Sequence, residues 1–427
     1  MIPNAVAQAA AKAQRELSGR ILAVTLRSVR DLDIAEEATS DAFLLALQTW
    51  PERGVPASVE AWLITAARRR AIDRIRTAQA ARRAFQRSAT DHRGAAPAVD
   101  TELAVIGDED LRLVVLCCDP RIAIQDQIAL TLRLACGVST ASIAAAFLVS
   151  ETSMAARLTR AKKRLAAAGP SLDLPDDATV DARLHAVRKV VYLGFTMGHT
   201  AGSGDQLTDD DLADRASYLA GALHRLRPAD PEFTGLLALI LLTRARSGGR
   251  LDDDGSQVLL ADADRGRWDR ELLLRGLSLV DSALETSALG GGGRAGPVTL
   301  QAAIAAEHAI APTLAATNWA RIIELYGELL ELEPSATIAV GRSVAISQLS
   351  GPAAGLADLD EVIGLGGLQR YPYAFGARAQ MLTALGRLDE AGQAWAAAAE
   401  LARTAAERDY FAAQSREAGT SRPRRAP

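Results

Sequence analysis

Residues 61–76 read Ala61-Trp-Leu-Ile-Thr-Ala-Ala-Arg-Arg-Arg-Ala-Ile-Asp-Arg-Ile-Arg76, a pattern that suits one kind of backbone. At helical period Ile64, Ala67, Ala71, Ile72 and Ile75 fall on one apolar stripe. Arg69, Arg70, Asp73 and Arg76 fall on the opposite face, with Arg68 and Arg74 at the borders. Trp62 opens the stretch, and Arg82, Arg83 and Arg87 extend its positive charge, with Asp73 the single acid among them. The pattern predicts a helix that buries one side and lays the other along phosphates. The plain alternative is a solvated basic face.

The whole-chain charge points the other way. The 427 residues carry a formal net charge of −4, which argues against a generic nucleic-acid binder. The average hides a segregation, because the basic residues cluster in two short segments while acids are spread through the rest. Hydrophobic residues make up 49% and aromatics only 4%, with Ala and Leu dominant. Such a composition predicts an all-α chain of two to four domains, with helices packed closely through small side chains. Cys117, Cys118 and Cys136 form no Cys-x-x-Cys pair, and adjacent Cys117 and Cys118 point about 100° apart on a helix. Reduced, structural thiols are expected, with no metal, no cofactor and no disulfide, which suits a cytoplasmic protein. The N-terminus has no basic-then-apolar signal pattern, and no apolar run is long enough to cross a bilayer, so no membrane partner is expected.

In chain order, a first helix is expected near 4–30, with Leu17, Ile21, Val24 and Val29 on one side. A second is expected over 34–50, capped by Asp31 or Asp33, with Ala38, Phe43, Leu44 and Leu47 inside. Residues 51–56 read as a loop from their Pro and Gly content. The basic helix follows, and 88–107 lacks periodicity and reads as a flexible linker. Four helices are expected near 111–118, 124–136, 140–147 and 150–168. Ser150 is the N-cap of the last, and Met154, Leu158, Ala161 and Leu165 are its buried stripe. Its other face presents Ser153, Ala156, Arg157, Arg160 and Arg164, with Lys162 and Lys163 alongside. Two short helices, a tight turn and a polar, basic second helix match a helix-turn-helix, which inserts the start of its second helix into the major groove.

The rest of the chain, 178–427, reads as a separate helical region interrupted by Gly-rich loops. From about 318 it turns repetitive. Residues 319–334 resemble the second helix of a tetratricopeptide repeat, and the runs beginning at Gly351 and Gly386 lie 35 residues apart, close to that repeat's period of about 34. Asp264, Arg267, Trp268, Asp269, Gln301, Glu307 and His308 form a polar set inside apolar helices. Such sets are usually satisfied networks that fix helix register. A ligand pocket is the sharper reading.

Taken together, 34–50, the following Pro-Glu-Arg-Gly and 61–76 resemble region 2 of an extracytoplasmic-function (ECF) sigma factor. Residues 127–165, with Ala129-Leu-Thr-Leu-Arg133 and Met154-Ala-Ala-Arg-Leu-Thr-Arg-Ala-Lys162, resemble region 4 of that family. Cys117-Cys118-Asp119-Pro120, Asp264-Arg-Gly-Arg-Trp-Asp269 and Leu300-Gln-Ala-Ala-Ile-Ala-Ala-Glu-His308 match a subgroup with a long, tetratricopeptide-like C-terminal extension. Relatives tend to have Asn-Glu-Gly-Tyr where this chain has Thr196-Met-Gly-His199, and His where it has Asp119.

The resemblance implies four parts: region 2 over 1–87, a linker over 88–107, region 4 over 108–170 and the extension over 178–427. It implies a protein that is not an enzyme and that gives core RNA polymerase its promoter specificity. Region 2 would dock on the polymerase through 34–50, for which Glu37, Asp41, Leu45 and Gln48 are the candidates. It would capture unstacked bases of the −10 element near the 51–60 loop, with Trp62, Arg69, Arg70, Asp73, Arg74 and Arg76 as candidates. Trp62 could stack on a base or anchor the core. In region 4, Thr152, Ser153, Ala156, Arg157, Arg160, Lys163 and Arg164 would meet the −35 element. One of Arg157 and Arg160 would read guanine and the other hold phosphate. The extension would regulate the chain in cis, through its own contacts or an unidentified ligand or protein. The competing class is a helix-turn-helix regulator with a sensing helical domain.

Overall fold

The computed structural model describes residues 2–86, 109–147, 149–167, 177–199, 210–249, 258, 260, 263–290, 293–402 and 404–420. The expected 88–107 linker and Arg87 lie outside these residues, and nothing is described of the Arg82 and Arg83 side chains. The described chain is helical, as its composition predicts, and divides into two compact units.

The first unit takes in Met1–Gly198 and Asp210–Leu223. It opens with three long helices, α1 (Ile2–Val29), α2 (Leu32–Arg53) and α3 (Val59–Gln86), each packed on the other two. Asp31 starts α2 by accepting the Ile34 N–H at 3.0 Å. Ala35, Ala38, Ala42 and Ala46 then let the neighbouring helices close onto α2, around Ile21, Phe43, Trp50, Leu63 and Ala67. Because these alanines make the contact, the leucines between them turn outward. Leu44 is 57% and Leu47 46% exposed, where the sequence suggests the interior. The same correction applies in α3. Leu63, Ala66, Ala67 and Ala71 are buried, while Ile72, expected on the apolar stripe, is 45% exposed. The stripe is turned so that Arg74, three residues after Ala71, faces α2. Helix α2 also runs past its expected end at Trp50, through Pro51 to Arg53. It stops at Gly54, whose φ of +79° is one that L side chains rarely adopt.

The four shorter helices follow as α4 (Glu109–Cys117), α5 (Ile124–Leu134), α6 (Thr140–Ala146) and α7 (Glu151–Ala167). The expected stripe of Met154, Leu158, Ala161 and Leu165 is the buried face of α7. Ser150 caps α7 by accepting the Ser153 N–H at 3.2 Å. Two further helices complete the unit, α8 (Asp177–His199) and the greater part of α9 (Asp210–Leu226).

The second unit holds α10 (Pro231–Ala245), α11 (Arg270–Leu289), α12 (Pro297–Ile310), α13 (Trp319–Leu332), α14 (Ala336–Ser350), α15 (Pro352–Gly364), α16 (Pro372–Ala384), α17 (Leu388–Leu401) and α18 (Ala405–Thr420). Helix α10 is apolar nearly all round and packs on both α11 and α12. From α13 on, each helix packs on the next in sequence, as the repeated runs from about 318 lead one to expect. Pro231, Pro297, Pro352 and Pro372 sit in the first turn of their helices, where a missing N–H costs nothing. No helix among the described residues is long and apolar enough to cross a membrane.

Candidate nucleic-acid interface

The end of α2, the turn after it and the first half of α3 enclose a pocket of about 880 Å³. Leu45, Thr49, Trp50, Arg53, Gly54 and Pro56 line one side, and Ala61, Trp62, Thr65, Ala66, Arg69, Arg70 and Asp73 the other. Trp62 meets Trp50 edge to face at 5.5 Å and is half-buried. It therefore both packs on the core and presents part of its ring to the pocket. The Trp50 ring N–H is buried with no acceptor among the described residues. Arg69 and Arg70 are exposed at the rim, with Asp73 beside them, and Arg76 is exposed farther along α3. Sequence reasoning missed Trp50 and Arg53, which come from the preceding helix. The aromatic pair Trp50 and Trp62, flanking the Pro/Gly turn, was the available signal.

Arg74 is placed differently from its basic neighbours. It donates to Asp41 through Nε at 3.2 Å and Nη2 at 2.8 Å, and also to Glu37. The hydrogen bond to Asp41 holds its guanidinium above the ordinary value. Two of the residues expected to meet the polymerase, Glu37 and Asp41, thus brace α2 to α3. Of the other two, Leu45 faces the pocket and Gln48 is exposed beside Leu44 and Leu47.

On α7 the outward face carries Thr152, Ser153, Ala156, Arg160, Lys163 and Arg164, all exposed. Arg157 is half-buried and held from α5. Its Nε lies 2.9 Å from Asp126 and its Nη2 donates to Gln125 at 3.1 Å, while its guanidinium lies 5.8 Å from the Phe147 ring centre. Asp126, only 14% exposed at its side chain, also lies 3.7 Å from Arg164. Arg160 and Lys163 have no ion pair or hydrogen bond among the described residues. Lys162 pairs with Glu36 of α2.

The three thiols sit apart from both surfaces. Cys117 and Cys118 are buried. Burial pushes the Cys118 thiol up to about 12 and that of Cys136 to about 11, so both stay protonated and unreactive near neutral pH.

In the second unit the polar set divides. Asp264 accepts the Gly266 N–H at 2.8 Å and Asp269 the Leu272 N–H at 3.0 Å, so both are exposed caps. The hub is Arg265, which sequence reasoning passed over. It donates to the carbonyl oxygens of His308 and Ala311 at the end of α12 and lies 4.7 Å from the Trp268 ring centre. His308 meets Trp319 edge to face, and burial lowers its pKa to about 4. Arg267 is exposed and Gln301 half-buried.

Comparison with known proteins assigns these pieces. Residues 14–81 match Sigma-70 region 2, and residues 120–165 match Sigma-70, region 4. The chain is thus a sigma-70 protein, with α1–α3 forming region 2 and α5–α7 the helix-turn-helix of region 4. Residues 183–284 match a family of unknown function (DUF6596). An uncharacterized protein of Rhizobium meliloti (strain 1021) is 41% identical over 91% of both chains. The ECF RNA polymerase sigma factor SigK of Mycobacterium bovis (strain BCG / Pasteur 1173P2) is 34% identical over 22% of this chain and 51% of its own length. SigK of Mycobacterium ulcerans (strain Agy99) is 33% identical over the same shares. Both sigma-70 regions, the likeness to ECF sigma factors over about a fifth of the chain and a long C-terminal helical extension are consistent with the subgroup that the sequence resembles.

Proposed function

We propose that this chain binds core RNA polymerase, reads the −35 element with α7 and the −10 element with the α2–α3 pocket, and is regulated in cis by its extension. The observation that carries the reading is the pairing of two unlike surfaces in one unit. A two-tryptophan pocket rimmed by Arg69 and Arg70 suits an unstacked base, since every nucleotide has a base face to stack and a backbone phosphate to neutralise. An exposed recognition helix suits duplex DNA. The exposed Leu44, Leu47 and Gln48 face of α2 is an apolar strip of the kind a partner groove covers, and is the polymerase contact.

For the −35 element the two arginines take different roles. Arg160 is exposed on the outward stripe and free to reach a base edge. Arg157 is held by Asp126 and Gln125 at the flank, where a fixed guanidinium meets backbone phosphate. The cis role of the extension is supported by α8 and α9, which belong to the same compact unit as regions 2 and 4.

Reconstitution tests the reading. Full-length protein mixed with purified core polymerase and genomic fragments should elute as a stoichiometric complex and yield transcripts from discrete start sites. A helix-turn-helix regulator would bind DNA but take no stoichiometric place on core.

A further inference from the structure

Regions 2 and 4 are separate parts of the sequence, yet in the first unit they touch. A Cβ on Gly19 of α1 would lie 2.2 Å from the Ala135 carbonyl oxygen at the end of α5, so only glycine permits this approach. Arg27 at the end of α1 pairs with Glu109 at the start of α4. Lys162 of α7 pairs with Glu36 of α2.

The extension closes this junction. Arg215 of α9 places Nη2 2.8 Å from Asp110 of α4 and donates to the Ala135 carbonyl at 2.9 Å. Its Nη1 donates to the Glu16 carbonyl of α1 at 3.4 Å. The approach to Asp110 is off-axis, a charge contact rather than a directed hydrogen bond, and both side chains are largely buried. One guanidinium thus holds region 2 and region 4 at once. Arg183 of α8 makes a second tie, donating at 3.0 Å to Asp119 in the loop between α4 and α5.

Promoter reading needs a different separation. Elements centred near −35 and −10 lie about 25 base pairs apart, on the order of 85 Å at 3.4 Å per base pair. Along α2, Glu36 and the pocket residue Arg53 are only about 26 Å apart at 1.5 Å per residue. With Glu36 paired to α7, the two reading surfaces lie far closer than the two elements.

We propose that Arg215 is a latch through which the extension holds regions 2 and 4 in a closed form that cannot read both promoter elements together. Opening on core polymerase is then a step of activation. The purpose assigned to the latch rests on the promoter-reading function above; its existence in the free protein does not.

The experiment is a distance measurement on the full-length chain, with spin labels at exposed Lys12→Cys on α1 and Ala166→Cys on α7. The parent should give one short distance, and core polymerase should lengthen it. Arg215→Ala alone would remove a largely buried cation from beside Asp110 and risks misfolding. The Arg215→Met/Asp110→Asn pair removes both charges and keeps the bulk. That pair should broaden the distribution toward longer distances and raise initiation at limiting core by several-fold, with the helical signal unchanged. A pair variant that folds and keeps the short distance overturns the latch, as does a parent whose distance is already long. Failure of the protein to initiate with core would instead strike the promoter-reading function, because the distances in free protein need neither core nor DNA.

Discussion

The two basic helices, α3 and α7, invite comparison. Each buries one stripe and shows arginines on the other side, and from sequence they look alike. Their surroundings separate them. Arg69 and Arg70 of α3 rim a pocket floored by tryptophans from two helices. Arg160 and Lys163 of α7 stand exposed on its outward face, while Arg157 is fixed by Asp126. A pocket accepts a base that has left its stack, whereas a convex helix fits the groove of an intact duplex. Equal charge supports unequal tasks because the neighbours of each arginine differ.

The comparison can be broken at several points. The largest effect is expected at the pocket. Trp62→Ala should remove a stacking platform worth about 1–3 kcal/mol per base. Binding of a single-stranded −10 oligonucleotide to holoenzyme, measured by anisotropy, should weaken while binding to a duplex −35 fragment stays level. Equal weakening of both would mean that Trp62 acts through the fold alone.

Next come the α7 arginines. Arg160→Ala should lose roughly 1–3 kcal/mol of discrimination at one −35 position. Arg157→Ala should lose affinity evenly across sequences and flatten the salt slope by about 1. Binding to a randomised −35 library at two salt concentrations separates the two, and the reverse assignment would exchange the outcomes. Asp126→Asn should act through Arg157, changing the salt slope without changing the preferred sequence.

The smallest effect is expected at Arg74. Its ion pairs with Glu37 and Asp41 are partly exposed, so Arg74→Ala should cost at most about 1 kcal/mol of stability. Promoter affinity should stay nearly unchanged in the same assay that registers Arg69→Ala. A loss of DNA binding equal to that of Arg69→Ala would return Arg74 to the interface.

What the sequence disclosed follows from the range of the interactions. The helix-turn-helix was legible to the residue, because Ser150, Met154, Leu158, Ala161 and Leu165 interact within a turn or two and leave a periodic trace. The outward turn of Leu44 and Leu47 was not, because α2 is rich in both Ala and Leu and its periodicity does not say which face packs. The braces were also hidden. Arg74 finds Asp41 33 residues away, Arg157 finds Gln125 32 away, and Arg215 reaches the Ala135 carbonyl 80 away. No local pattern announces such partners. Arg265 escaped notice for a related reason: its targets are backbone carbonyls at the end of α12, which no residue type marks.

The division of labour between α3 and α7 is tested most directly by transcription from two templates, one fully duplex and one already mismatched over the −10 region. The Arg69→Ala/Arg70→Ala pair should initiate poorly on the duplex template and recover on the premelted one. Arg160→Ala should be impaired on both to the same degree, since premelting leaves the −35 duplex untouched. Equal losses on both templates for the region 2 pair, or recovery of Arg160→Ala on premelting, would contradict the account.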